Sequence, residues 1–196
     1  MKKSNLPVFP LGIVALPGSI QSLQIFEPRY IQMVKTCLSE NHGFVIVLSS
    51  NSDNDHDFSF SKKGTFVEII DFNNLPNGLL GITVKSINKV VINNIFQLED
   101  GLHIADTKPK IDPEVDDQAV LAEYPEISSI LTQLIKHPRI SDLPMNVDFS
   151  SADSVAYHLA GLIPLSSDEK QKLLEAFDAT QRMRILSDYI ERISTA

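Results

Sequence analysis

The chain has 196 residues, enough for one domain of ordinary size or two small subdomains. Seventeen Lys and Arg stand against 25 Asp and Glu, a formal net charge of −8, which argues against nucleic acid as a partner. The single cysteine, Cys37, rules out an intrachain disulfide and fits a reducing compartment, so a cytoplasmic location is expected.

Lys2 and Lys3 precede the apolar run LPVFPLGIVALPG. Pro7, Pro10 and Pro17 break it, and its longest proline-free piece, Leu11 to Leu16, is too short for a signal-peptide core. No run approaches the roughly 18–20 apolar residues of a membrane-spanning helix. The expectation is a chain with no membrane segment.

The proline-broken run reads as short extended pieces, and LQIF continues as a strand. PRYIQMVKTCLSE then takes helical spacing, with Tyr30, Met33, Val34, Cys37 and Leu38 on one face. Pro28 suits the first turn, and His42-Gly43 is the expected stop. GFVIVLSS reads as a buried strand, and SNSDNDHDFSFSKK as a polar loop. From Gly64 a meander is expected: GTFVEIIDF, a turn around Pro76-Asn77-Gly78, a long strand or bulged pair over GLLGITVKSINKVVI, NIFQL, a turn at Asp100-Gly101, and LHIADTKP. Strands so closely joined predict an antiparallel sheet closed, or nearly closed, into a barrel.

At about residue 113 the pattern changes. The stretch from Asp112 to Glu126 carries Asp112, Glu114, Asp116, Asp117, Glu123 and Glu126 without a Lys or Arg, and reads as a solvated linker and helix start. Ile127, Ile130, Leu131, Leu134 and Ile135 form a helix face ended by His137-Pro138. Capping boxes are expected at Ser150…Asp153, Ser166…Glu169 and Asp178…Gln181. Their helices carry Val155, Ala156, Leu159; Leu173, Leu174, Phe177; and Met183, Leu186, Ile190, Ile193. The fold class is therefore α+β: a β-rich subdomain over 1–112 with one helix, then a helical subdomain over 113–196.

Motifs for chemistry are lacking. There is no glycine-rich phosphate loop, since Gly64 follows Lys63 in the wrong order. The five histidines are scattered without an HxxxH pair, and Asp53, Asp55, His56 and Asp57 lack the spacing of a calcium loop. Cys37 lies on an apolar helix face and reads as a core residue. No serine elbow or Ser-x-x-Lys occurs. The expectation is a non-enzyme with no cofactor and no metal.

The order of motifs resembles the N-terminal, substrate-recognition domain family of ATP-dependent Lon protease. The resemblance rests on Leu6 to Leu11, Leu16-Pro17-Gly18 and Ile25 to Tyr30 at the N-terminus, and on GFVIVL and GTFVEII with Gly64 and Glu68. Toward the C-terminus it rests on Ile163 to Leu165, Lys170-Gln171, Leu173 to Glu175 and Arg182. It implies a PUA-like β subdomain followed by a helical bundle. It further implies a stand-alone bacterial Lon-domain protein without ATPase or protease modules, which binds unfolded or flexible polypeptide segments as an adaptor. A separate ATP-dependent protease is a further implied partner. The alternative is a small-ligand binder or small enzyme using a pocket in the barrel. Within LQIFEPRY, the helix dipole accounts for Glu27, while local structure does not require Arg29. Glu27 and Arg29 are the candidate polypeptide-binding residues.

Overall fold

The structure, a computed structural model, describes residues 4–49 and 60–194. It divides into two compact units, one ending at Lys110 and the other beginning at Ile111.

The first unit contains β1 (Ser4–Leu11), β2 (Ile20–Ile25), α1 (Pro28–Glu40), β3 (Phe44–Ser49), β4 (Phe60–Asn74), β5 (Leu80–Gln97) and β6 (His103–Pro109). The sheet order is β2-β5-β4-β3-β1-β6, and β6 pairs with β5 as well. The pairing thus runs from β1 through β3, β4, β5 and β6 back to β1, and β2 hangs outside on β5. The expected all-antiparallel sheet is corrected to a mixed one, because β1 and β3 are parallel, with Val8 opposite Val45 and Leu11 opposite Leu48. Parallel neighbours need a long crossover, and the segment carrying β2 and α1 supplies it.

Alternation explains the core. Phe44 and Ile46 of β3 join a cluster with Tyr30, Met33, Val34 and Cys37 of α1 and with Ile82 and Val84 of β5. Val45 and Val47 join a second cluster with Val8, Val90, Ile92 and Ala105. Both faces of β3 are buried, so its apolar run is continuous rather than alternating. Gly64 has no room for a side chain: a Cβ there would lie 2.5 Å from the Ile46 carbonyl. β4 starts at Phe60, so Phe60 to Lys63 of the expected loop are strand. The proposed Asp53–Asp57 cation group lies outside the described residues.

Helix α1 ends on Asn41 in the left-handed region (φ 53), one residue before the expected stop, with its N–H bonded to the Cys37 carbonyl. Leu38, at the border of the apolar stripe, is exposed, while Tyr30, Met33, Val34 and Cys37 are buried. Burial, then Glu40, pushes the Cys37 thiol up to about 11, in keeping with an inert core residue.

The two hairpin turns share one design. In Leu75-Pro76-Asn77-Gly78-Leu79 and in Leu98-Glu99-Asp100-Gly101-Leu102, the first leucine N–H bonds the last leucine carbonyl, and the glycine N–H bonds the first leucine carbonyl. Both glycines have positive φ, 78 and 84. The Asx side chain accepts from the last leucine N–H in each.

The second unit contains α2 (Asp117–Glu123), α3 (Pro125–Ile135), α4 (Ala152–Leu162), α5 (Ser167–Glu175) and α6 (Ala179–Ser194). Its core holds Val120, Ile127, Leu131, Val155, Leu159, Leu173, Leu174, Met183 and Leu186. The expected solvated linker is in part α2, and most of its acids have assigned partners. Asp116 caps α2 by accepting from the Gln118 and Ala119 amides. Asp117 accepts from the Ala152 amide at 2.8 Å, and Glu126 from the Ser187 hydroxyl at 3.3 Å. Of the three capping boxes, Ser166…Glu169 is complete. Asp178 caps the Gln181 amide, but Gln181 reaches back to the Phe177 amide instead of that of Asp178. At α4 the cap is Ser151, not Ser150, because the Ser150 hydroxyl donates to Asp148. Phe177, expected on a buried helix face, lies in the turn after α5 and is exposed.

Candidate functional site

Beyond Val67, β4 loses its pairing with β3 but continues alongside β5 to Asn74. Together with β2 this makes a three-stranded extension outside the closed run of strands. One of its faces carries the cross-strand row Leu23, Ile82, Phe72 and the pair Ile25 and Leu80. Ile25 and Ile82 are buried in the cluster that α1 covers, with Leu23 and Leu80 packed against it. The row runs out into solvent at Phe72, which is 58% exposed. At a register shift Ile70 is the extra residue of β4, between Ile69 opposite Val84 and Asp71 opposite Thr83, and it is 51% exposed. Phe26, between β2 and α1, is 66% exposed. Two phenylalanines and an isoleucine thus stand in water on or beside one short extension, and large exposed apolar side chains gathered on one element make it a candidate contact site.

The predicted residues Glu27 and Arg29 sit at the adjoining strand-to-helix corner. Glu27 occupies the N-cap position just before α1 but makes no side-chain cap. Its carboxylate instead pairs with Arg29 at 2.7 Å. Arg29 also donates from Nη1 to the Gly101 carbonyl at 3.0 Å and lies 4.8 Å over the Tyr30 ring. Local sequence did not require Arg29 because its partner, the β5–β6 turn, is 72 residues away. Burial, then the Arg29 charge, holds the His103 imidazole below its ordinary basicity.

In the helical unit the chemistry centres on Arg182, which is fully buried. It donates to Asp112 at 2.6 Å, to Asp153, and from Nε to the Leu173 carbonyl at 3.0 Å, and stacks 4.4 Å from the Tyr157 ring. Burial disfavours its charge, but Tyr157, Asp153 and Asp112 together more than offset this, so its basicity rises. The hub is legible as a charge at 182 on the helix stripe of Ala179, Met183 and Leu186, all buried. A cavity of about 400 Å³ at the α5–α6 corner is lined by Phe177, Asp178, Thr180, Gln181 and Arg184. No group of three or more His, Cys, Asp or Glu among the described residues is placed to hold a metal ion. No helix among them is long and apolar enough to cross a membrane.

The family description "ATP-dependent protease La (LON) substrate-binding domain" matches residues 5–192. The chain belongs to that family. It is similar to the Lon protease of Heliobacterium modesticaldum, 23% identical over 201 residues, covering 96% of this chain and 24% of the relative. Lon protease 1 of Bacillus subtilis is 24% identical over 200 residues, covering 96% and 25%. The chain thus spans about a quarter of the length of these relatives. Among solved structures, the Lon N-terminal domain protein from Xanthomonas campestris superposes with a TM-score of 0.75 at 24% identity, covering 95% of this chain and 98% of that one. The N-terminal domain of Mycobacterium avium complex Lon protease gives 0.73 at 17% identity, covering 95% and 97%. These two likenesses establish the LON N-terminal fold.

Proposed function

We propose that this LON-family domain is a non-catalytic polypeptide-binding adaptor that takes unfolded or flexible segments of other proteins. The observation that carries the reading is the exposed apolar set Phe26, Ile70 and Phe72 on the β2–β5–β4 extension, in a chain whose family is described as substrate-binding. Glu27 and Arg29 contribute by holding the corner from which Phe26 projects. On the same reading the strand unit is PUA-like, the helices form a bundle, and the protein is cytoplasmic and cooperates with a separate ATP-dependent protease.

The test is fluorescence anisotropy with labelled, reduced and carboxymethylated α-lactalbumin. Burying one phenylalanine is worth about 1.5–3 kcal/mol, so each lost contact weakens binding by about tenfold or more. Phe26→Asp and Phe72→Asp should each weaken binding on that scale with little change in melting temperature. Phe177→Asp, at the α5–α6 cavity, should leave it unchanged. Equal binding by all three variants and the parent chain would defeat the assignment.

A further inference from the structure

The outer side of β2 is an open ladder. Leu16-Pro17-Gly18-Ser19 forms a turn closed by the Ser19 N–H on the Leu16 carbonyl, with Gly18 at φ 84. The Gly18 N–H then bonds the Ser86 carbonyl while the Ser86 N–H bonds the Ser19 carbonyl, a glycine bulge that sets the phase of the β2–β5 ladder. Ser19 and Ser86 being a bonded pair, alternation aims the backbone groups of Gln21, Leu23 and Ile25 at Val84, Ile82 and Leu80 of β5. Those of Ile20, Ser22 and Gln24 point the other way. No strand among the described residues pairs with that side, and the side chains of Ser22 and Gln24 are exposed.

Exposed edges are ordinarily guarded by charge, proline or a bulge. Another open segment of this sheet is so guarded: β4 beyond Val67 carries Glu68 and Asp71 and the register shift between Ile69 and Asp71. From Ile20 to Ile25, β2 has no charge and no proline. Its start is pinned by the bulge and by the Ser19 hydroxyl, which donates to the Leu16 carbonyl at 2.6 Å and lies 3.2 Å from the Ser86 hydroxyl. The ladder is therefore held ready for a partner, with little ordering left to do.

We infer that β2 binds an extended segment of another polypeptide by strand addition, the open backbone groups of Ile20, Ser22 and Gln24 pairing with its main chain. This rests on the polypeptide-binding reading and gives it a mode. The side chains flanking the edge define the class of segment. Leu23, half-buried on one face, favours an apolar residue beside it, and Ser22 and Gln24, exposed on the other, accept polar ones. With no charge on β2, selection acts against proline and backbone substitution rather than for a charge pattern. The area argues against a second copy as the occupant. A six-residue strand is about 20 Å long. Covering its edge buries on the order of 400 Å² in total, well short of the ~1,200 Å² where stable interfaces begin.

The experiment is residue-resolved amide exchange with two synthetic ten-residue peptides, one of alternating Val and Thr and the same one N-methylated at alternate residues. Carboxymethylated α-lactalbumin serves as the general probe. The unmodified peptide should slow exchange at Ile20, Ser22 and Gln24 at least tenfold, and N-methylation of the side that faces β2 should weaken binding at least tenfold. Ser22→Pro removes an edge donor without removing a bond to β5, so it should abolish that protection while the melting temperature holds. Gln24→Lys, a conventional edge guard, should weaken binding similarly should Ser22→Pro not fold. Binding of lactalbumin untouched by N-methylation or by either variant overturns strand addition and leaves the adaptor reading standing. No binding of lactalbumin by the parent chain overturns both. Protection of these amides that grows with protein concentration in the absence of peptide overturns the inference in favour of a second copy.

Discussion

The strand unit and the helical unit are organised by opposite means. In the strand unit, order comes from alternation and from turns: two glycine turns of one design, a glycine bulge at Gly18, and apolar clusters on both faces of β3. A long-range charged contact of this unit, Arg29 on the Gly101 carbonyl, lies at the rim and stays partly open to water. In the helical unit the central feature is itself a charge, Arg182, held by acids before α2 and within α4. A sheet locks its register through its own ladder, whereas helices that meet only by side chains gain a unique arrangement from a buried polar centre. That role for the Arg182 hub is the hypothesis these predictions bear on.

The comparison is broken most severely at Arg182. Removing one partner of a buried ion pair leaves the others uncompensated and costs about 3–5 kcal/mol. Arg182→Met should lower the urea midpoint by that equivalent. Amide protection should fall across 112–194 and hold across the strands of 4–110. Uniform loss over both units, or no loss, would mean that the hub does not specify the helical arrangement.

A smaller effect is expected at the strand unit's rim. Arg29→Ala removes a partly exposed ion pair and one charged bond to a carbonyl, together about 1–2 kcal/mol. Its signature is faster exchange at the turn amides of Gly101 and Leu102. A stability change without that local loss would place the role of Arg29 elsewhere. The smallest effect sharpens the helical side. Ser151→Ala should cost about 1 kcal/mol as the true cap of α4, and Ser150→Ala a few tenths. Equal costs in thermal unfolding would contradict the cap assignment.

Much of this molecule was legible in local pattern. The α1 face, the turns at Gly78 and Gly101, and the Ser166…Glu169 box depend on residues within four or five positions of one another, where spacing and turn chemistry suffice. The misreadings fell where a partner lies far along the chain. Asp112 looked solvated because Arg182 is 70 residues away, and local structure gave Arg29 no role, leaving it a binding candidate, because Gly101 is 72 away. The Ser150 cap failed more locally, through competition from Asp148 for its hydroxyl. Phe26 and Phe72 read as ordinary strand apolars, since alternation reveals a face but not where the covering helix stops.

By itself, the sequence determined the α+β class and the positions of most elements, because periodicity, prolines, glycines and caps act over a few residues; the order of its motifs added the resemblance to the LON family. Only the tertiary structure decided that β1 and β3 run parallel, that β6 is the strand pairing with both β1 and β5, and that β2 is left outside with one side unpaired among the described residues. Those are outcomes of which strand meets which across the chain, and backbone hydrogen bonding, identical for nearly every residue, leaves no mark of that choice in the sequence.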